Sequence, residues 1–518
     1  MKKFPVQKNE LFYGVHITDL GEGGTGIGHI ALETEQTEAG TPCQQYTLFV
    51  RHALPGDVVT VKITKAKSHY AFGRIETLDA PSPHRVPSPC PCSKRCGACQ
   101  LLELSYETQL AFKRKRITDA LKRIGGFSEA EILHAANVTE NHQSQNGSDA
   151  IEILPSLPFR CRNKAQYPVS SKENILSAGF YSLHSHEVVD INDCLLTPPV
   201  FSDIKNIILE HCMAYHVSAY EETSGKGLLR HILIRQGFHS KEIQVLLVIN
   251  GKKFPHGDKL AGKLSGIQSF KSLSVSENRE NTNVILGKTF RTLYGSLYIR
   301  DSLRVNGNTL HFDISPLSFY QVNTRQAEQL YEKVLAYAAL QGNEQVWDLY
   351  CGIGTISLFL AKQAKNVIGI EENPEAVKDA ERNAVLNNIT NTAFLAGKAE
   401  ELLEAQSRQS IPDLAVVDPP RAGLAEKVIQ IINAISPPKI IYVSCNPSTL
   451  ARDLKLFCKE GGYRLEEICG ADMFPQSEHV ETVCLLSNRK PDARVKIDVD
   501  LEDYYRIKDE QKKNKASE

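Results

Sequence analysis

The sequence has no run of about 18 apolar residues, the length a helix needs to cross a bilayer. Its opening "MKKFPVQKNE" has two lysines but no apolar stretch behind them, as a secretory signal would require. These absences predict a cytoplasmic protein with no membrane span. Charge of one sign is lacking too: the formal net charge is −1. A nucleic-acid site must then rest on local patches rather than on the field of the whole molecule. Nor do the cysteines form a disulfide framework. Thirteen is an odd number, and they are scattered apart from one dense group, "CPCSKRCGAC" at 90–99. That distribution fits a reducing cytosol with one metal site.

What is present is ordinary globular composition, 42% apolar and 23% charged over 518 residues, with room for roughly two to four domains. Residues 1–78 read as short strands broken by glycine turns, which predicts a small closed barrel of the OB type. Lys62, Lys65, Lys67 and Arg74 alternate along its later strands, and His69, Tyr70 and Phe72 could stack on RNA bases or fill the barrel core. A proline-rich stretch at 79–91 marks the first boundary. Leu104, Leu110, Ile117, Leu121 and Ile124 have helical spacing, ended by Gly125 and Gly126. Two basic clusters, "FKRKR" at 112–116 and "RCRNK" at 160–164, read either as solvated faces or as RNA patches. The stretch 139–150 is a polar insertion, and 79–314 as a whole reads as a central α+β domain. From 315 to 490 strands and helices alternate, which predicts a Rossmann-like α/β domain with ligands at the strand C-termini. The remainder, 491–518, is a charged tail.

In "DLYCGIGT" an apolar strand ends at Gly352 and Gly354, with a helix expected near Ile356. Tight turns need glycine anyway, but here backbone can also approach a ligand. A second strand ends in Glu371, seventeen residues beyond Gly354, where an acid would accept both ribose hydroxyls. Ser357 replaces the third glycine of a dinucleotide fingerprint, so an adenosine ligand without a pyrophosphate fits better, and S-adenosylmethionine is the candidate. "VVDPPRAGL" ends a third strand at Asp418, where two prolines force the chain out over the site. Cys445 follows the apolar strand of "KIIYVSCNPSTLARDL", with Asn446 as N-cap and Pro447 opening a helix whose dipole would favour a thiolate. Cys351, Cys458, Cys469 and Cys484 read as core residues.

"FYQVN", "DLYCGIGT", "DPPRAGL", "SCNP" and "HVETV" stand in this order, and together they resemble the RNA uracil-5-methyltransferase family; the barrel resembles its TRAM domain. The resemblance covers about 480 residues. It implies S-adenosylmethionine contacts at Gln321, Tyr350, Glu371 and Asp418, a nucleophile at Cys445 and a base at Glu481. The chemistry needs those residue types. Thiolate addition at carbon 6 makes carbon 5 of uracil nucleophilic, and a carboxylate must then remove the carbon-5 proton. Glu478, three residues before Glu481 and in the turn ahead of its strand, is the competing base. Cys90, Cys96, Cys99 and the remote Cys194 resemble the family's [4Fe–4S] ligands. Cys92, Cys96 and Cys99 instead have the spacing of a radical S-adenosylmethionine enzyme, and a zinc site using Cys92 is a third reading. Family tRNA enzymes tend to be shorter and to lack barrel and cluster, so the resemblance implies the branch acting on 23S ribosomal RNA, as a monomer. A tRNA enzyme and a non-catalytic RNA-binding factor are the alternatives.

Overall fold

The computed structural model describes residues 6–32, 44–137, 150–173, 175–183, 185–282 and 284–489. The charged tail and nearly all of the polar insertion lie outside them. Strands β1 (Leu11–Leu20), β2 (Gly26–Leu32), β3 (Gln44–Arg51), β4 (Val58–Ala66) and β5 (Tyr70–Ala80) close a barrel in the order β1-β2-β3-β5-β4. Alternation builds its core, since Val59, Val61 and Ile63 of β4 all point inward with Leu48 and Val50 of β3. Tyr70 and Phe72 do not join that core. They stand exposed on the outer face, their rings 5.7 and 5.6 Å from that of Phe49.

Helices α1 (Tyr106–Arg123) and α2 (Glu129–Ala135) and a two-residue strand, β6 (Ile153–Leu154), come next. The central sheet has the order β13-β12-β11-β10-β7-β8-β9. Its strands are β7 (Lys164–Lys172), β8 (Ile175–Tyr181), β9 (Val188–Asp190), β10 (Leu229–Gln236), β11 (Ile243–Ile249), β12 (Phe270–Glu277) and β13 (Thr289–Gly295). Helices α3 (Val200–Ala214) and α4 (Gly257–Leu264) cover it through Phe201, Ile208 and Leu260. A hairpin of β14 (Ile299–Val305) and β15 (Asn308–Ile314) follows.

The last unit is an eight-stranded sheet, ordered β18-β17-β16-β19-β20-β22-β21-β6. After α5 (Thr324–Ala338) it alternates β16 (Gln345–Leu349), α6 (Thr355–Ala361), β17 (Asn366–Glu371), α7 (Pro374–Leu386), β18 (Thr392–Ala396), α8 (Ala399–Ser407), β19 (Leu414–Val417), α9 (Glu426–Ile435), β20 (Lys439–Ser444) and α10 (Pro447–Lys455). It ends with β21 (Tyr463–Ala471) and β22 (Glu481–Asn488). Strands β16 to β20 pair in parallel, as expected, but β22 runs antiparallel to both β20 and β21.

Helices α1 and α2 and strand β6, expected within the central domain, join this sheet instead. β6 pairs in parallel with β21, and Ile117, Leu121 and Ile153 share a core with Leu450, Leu454 and Ile468. Residues Leu303 and Phe312 of the β14–β15 hairpin pack in the core holding Val346 and Phe359. The basic cluster at 112–116 departs from expectation as well. Lys113 is fully buried in an ion pair with Asp472, whose other oxygen accepts from Tyr106 Oη at 2.8 Å. Arg114 Nε donates to the Ile151 carbonyl at 2.8 Å, Lys115 pairs with Asp19 and Asp119, and Arg116 pairs with Glu478. These charges join α1 to its neighbours and present no free basic face. In the second cluster Arg160 is held by both oxygens of Asp193, at 2.8 and 2.6 Å. No helix among the described residues is long and apolar enough to cross a membrane.

Candidate active site

The loop after β16 carries two glycines and a tyrosine in left-handed conformation: Tyr350 at φ 66°, Gly352 at φ 56° and Gly354 at φ 81°. A side chain on Gly352 would meet only open space, so φ, not crowding, selects glycine there. Tyr350 has no such freedom, and a bulky residue held in this region is a strain typical of ligand sites. The loop is anchored by Glu371 at the end of β17. Its carboxylate accepts from Gly352 N at 3.1 Å and from Asn373 N at 2.8 Å.

Beside the loop lies a cleft of about 370 Å³ lined by Phe319, Gln321, Asp348, Tyr350, Gly352 and Asp418, among others. Three of the four expected cofactor contacts, Gln321, Tyr350 and Asp418, therefore line one cleft. Glu371 stands behind it, holding Gly352. Asp348 was not expected, although an acid inside the apolar strand of "VWDLY" is a signal. Its carboxyl accepts from Ser357 Oγ through one oxygen while the other is buried without a partner. Burial lifts its pKa to about 7. Asp418 is lifted to about 7 as well, by burial and then by Asp348. A positive charge on a ligand beside them would favour the ionised form of both acids. Phe319, also not anticipated, is 69% exposed at the mouth.

Cys445 follows the last residue of β20, and Asn446 caps α10 by accepting from Ser448 N at 3.0 Å. In the antiparallel pairing of β20 with β22, Ser444 faces Thr482. One further step along that register brings Cys445 opposite Glu481. Burial first, then Glu481, pushes the Cys445 thiol up to about 11, with Arg421 opposing. The thiolate expected from the helix dipole is therefore not the resting state, because loss of water and a facing carboxyl outweigh a dipole effect of about 1 kcal/mol. Burial and Asp418 likewise push Glu481 to about 8, again with Arg421 opposing. Arg421, within the quoted "DPPRAGL", was not singled out by the sequence. Asp418 joins the two halves, since it lines the cleft and its charge acts on both Cys445 and Glu481. Glu478 is no member of a loose turn. It is buried, and its carboxylate forms an ion pair with Arg116 at 3.5 Å, longer than a hydrogen bond. Cys351, Cys458, Cys469 and Cys484 are buried in the cores.

Cys90, Cys96, Cys99 and Cys194 line a second, largely apolar pocket with Leu102 and Phe159. Cys92 does not line it, and its Sγ faces the Asp190 carbonyl at 3.7 Å. Among the described residues no set of three or more His, Cys, Asp or Glu is placed to hold a single metal ion.

Comparison with known proteins bears on the chain as a whole. The family model described as tRNA (Uracil-5-)-methyltransferase matches residues 278–489, and that of the TRAM domain matches residues 13–75. An uncharacterized RNA methyltransferase of Bacillus cereus is 40% identical over 485 residues, 93% of this chain and 98% of that protein. One from Clostridium tetani is 38% identical over 488 residues, 94% of this chain and 98% of its own length. Among solved structures, the Pyrococcus abyssi tRNA (uracil-54, C5)-methyltransferase in complex with S-adenosyl-L-homocysteine aligns with a TM-score of 0.68 at 29% identity, over 91% of this chain and 99% of that one. A tRNA enzyme thus spans nearly the whole length of this fold, so length and domain count do not separate the ribosomal from the tRNA branch. Identity of this order, sustained from the barrel to the last strand, shows that the chain belongs to the RNA uracil-5-methyltransferase family and is an S-adenosylmethionine-dependent RNA (uracil-5-)-methyltransferase.

Proposed function

We propose that the enzyme methylates carbon 5 of a uridine through a covalent adduct between Cys445 Sγ and carbon 6. The observation that carries this reading is the opposition of Cys445 and Glu481 across β20 and β22, beside a cleft that shares Asp418 with them. S-adenosylmethionine supplies an electrophilic methyl on a sulfonium. The residues of the cleft fit it: Gln321, Tyr350 and Glu371 would hold its polar ends, and Asp348 and Asp418 answer its positive charge.

Cys445 loses its proton to water and adds to carbon 6, while the electron pair of the carbon 5–carbon 6 double bond moves towards oxygen 4. Carbon 5 then takes the methyl group, the sulfonium carbon–sulfur bond breaks, and the thioether leaves with the bonding pair. Glu481 removes the proton from carbon 5, the double bond returns, and the carbon 6–sulfur bond breaks to release Cys445 as thiolate. Burial keeps Asp418 and Glu481 reluctant to ionise, and a neighbouring sulfonium charge opposes that reluctance. Donor binding therefore readies the base.

Cys90, Cys96, Cys99 and Cys194 would ligate a [4Fe–4S] cluster. Support comes from their sharing one largely apolar pocket that Cys92 does not line, and a cube of irons needs thiolates spread more widely than a single ion does. The cluster's role in this reading is to hold the cysteine loop, not to enter the methyl transfer. The substrate in this reading is 23S ribosomal RNA, following the resemblance of the cysteine group to that branch, and the enzyme works as a monomer in the cytoplasm. The Pyrococcus tRNA enzyme favours tRNA as the second reading. Mapping 5-methyluridine in 23S ribosomal RNA and tRNA from a strain lacking the gene decides between them. Loss from 23S RNA alone supports the first, loss from tRNA the second, and loss from neither overturns the assignment.

A further inference from the structure

A second large opening lies in the central sheet, away from the methyl-transfer site. β7 pairs with β10 from Lys164 to Pro168 and with β8 from Val169 to Lys172. The pairing of β10 with β7 stops at His231 opposite Pro168, so beyond Pro168 that side of β7 is not paired with β10. An open cleft of about 1150 Å³ occupies this gap, with Tyr181, His186, Tyr220, Glu222, Arg230 and His231 among its walls.

These walls are built, not incidental. Arg230, 6% exposed, lies over the Tyr220 ring at 4.3 Å and donates to the Asn278 and Glu280 carbonyls, while its Nε is buried without a partner. His231 is equally buried, and its Nδ1 has no partner either. Burial and Arg230 hold it neutral, with a pKa near 4. Across the opening the Tyr181 and His186 rings lie 5.3 Å apart, both bonded to Glu222. Flat aromatic and guanidinium faces with donors and a carboxylate acceptor suit a nucleobase, which stacks and offers both donors and acceptors. Glu221 and Glu222 at the rim disfavour a phosphate.

The cleft also continues the barrel's exposed aromatic face. Phe49 lies two residues before Arg51 on β3, and Arg51 donates to the Leu183 carbonyl at 2.9 Å, two residues beyond Tyr181. At its other end, β10 runs about 13 Å from His231 to Arg235. There Arg235 donates to the Ser315 and Ser318 carbonyls, next to Phe319 at the mouth of the methyl-transfer cleft.

We propose that this cleft receives an unstacked base of the RNA substrate, a few nucleotides from the uridine that is methylated, and so helps to select the site. The inference rests on the RNA-methylation reading. Its test is steady-state kinetics with RNA from the deletion strain, comparing wild type, Tyr181→Ala and Tyr181→Phe, together with short-wavelength ultraviolet crosslinking and peptide mapping. Loss of one stacked base predicts an RNA KM raised about tenfold in Tyr181→Ala, unchanged kcat and S-adenosylmethionine affinity, and recovery in Tyr181→Phe. Crosslinks in wild type should fall on peptides containing 181–188 or 219–231. An RNA KM unchanged in a folded Tyr181→Ala, or crosslinks near 319–321 with none in the cleft, would overturn the proposal while leaving methylation standing. A wild-type protein that methylates no RNA would instead overturn the reading beneath it.

Discussion

Replacing Glu481 by Gln should stop turnover and yet make the cofactor-free protein more stable. Glu481 is buried between strands, and its pKa is lifted from 4.5 to about 8. A carboxyl with a raised folded pKa binds its proton more tightly folded than unfolded. Its favourable contribution is therefore complete below the unfolded value and is lost as pH rises through about 8. At about 1.4 kcal/mol per pH unit, holding the group costs roughly 3 kcal/mol near neutral pH and roughly 5 kcal/mol once it is ionised. A glutamine of the same shape escapes that cost but must bury an amide, at about 1 kcal/mol or more. The net gain near neutral pH is about 2 kcal/mol, or a few degrees in melting temperature. Thermal unfolding of wild type and Glu481→Gln at about pH 5 and about pH 8 reads this directly. The two proteins should melt together at the lower pH and separate at the higher, with the variant on top. A variant no more stable at the higher pH, or a gap equal at both, would refute the account of this carboxyl.

Cys445→Ala should give neither product nor adduct with RNA carrying 5-fluorouridine at the target, while keeping S-adenosylmethionine affinity; denaturing gels and calorimetry check both. Wild type should trap that adduct only with the methyl donor present, because elimination needs a carbon-5 proton that fluorine replaces. Iron analysis of anaerobic protein should find about four irons per chain, retained in Cys92→Ser and lost in Cys194→Ser. Lys113→Ala leaves Asp472 charged and buried, so it should cost about 3–5 kcal/mol of stability, read by urea unfolding, without changing the salt dependence of RNA binding.

Much of the site was legible because strand ends advertise themselves. Asp418 and Cys445 each close an apolar run before a proline, and Glu481 opens another. What local pattern does not carry is partnership across the chain. The lysines and arginines at 113–116 look solvated in the sequence because Asp19, Asp472 and Glu478, which neutralise three of them, lie far away in it. The same holds for α1: its periodicity marks a helix with one apolar face, but not which sheet that face will meet. The state of Cys445 differs from what its sequence neighbours suggest for a related reason. A helix N-terminus is visible in "SCNPS", whereas the burial that overrides it belongs to the assembled site.

The pairing of β6 with β21 sets an order on synthesis. The central sheet and its helices lie between Lys164 and Gly295, contiguous in the chain, and can close as soon as they leave the ribosome. Ile153 and Leu154 must wait for Gly470 and Ala471, and Lys113 for Asp472, some 359 residues later. Until α10, β21 and β22 emerge, the nascent chain holds the apolar face of α1 and the Lys113 cation without these later partners. Closing so long a loop costs only slightly more than closing a short one, so the burden falls on time, not on final stability. A ribosome stalled before 463 should therefore display a folded central sheet beside an undocked, protease-sensitive α1.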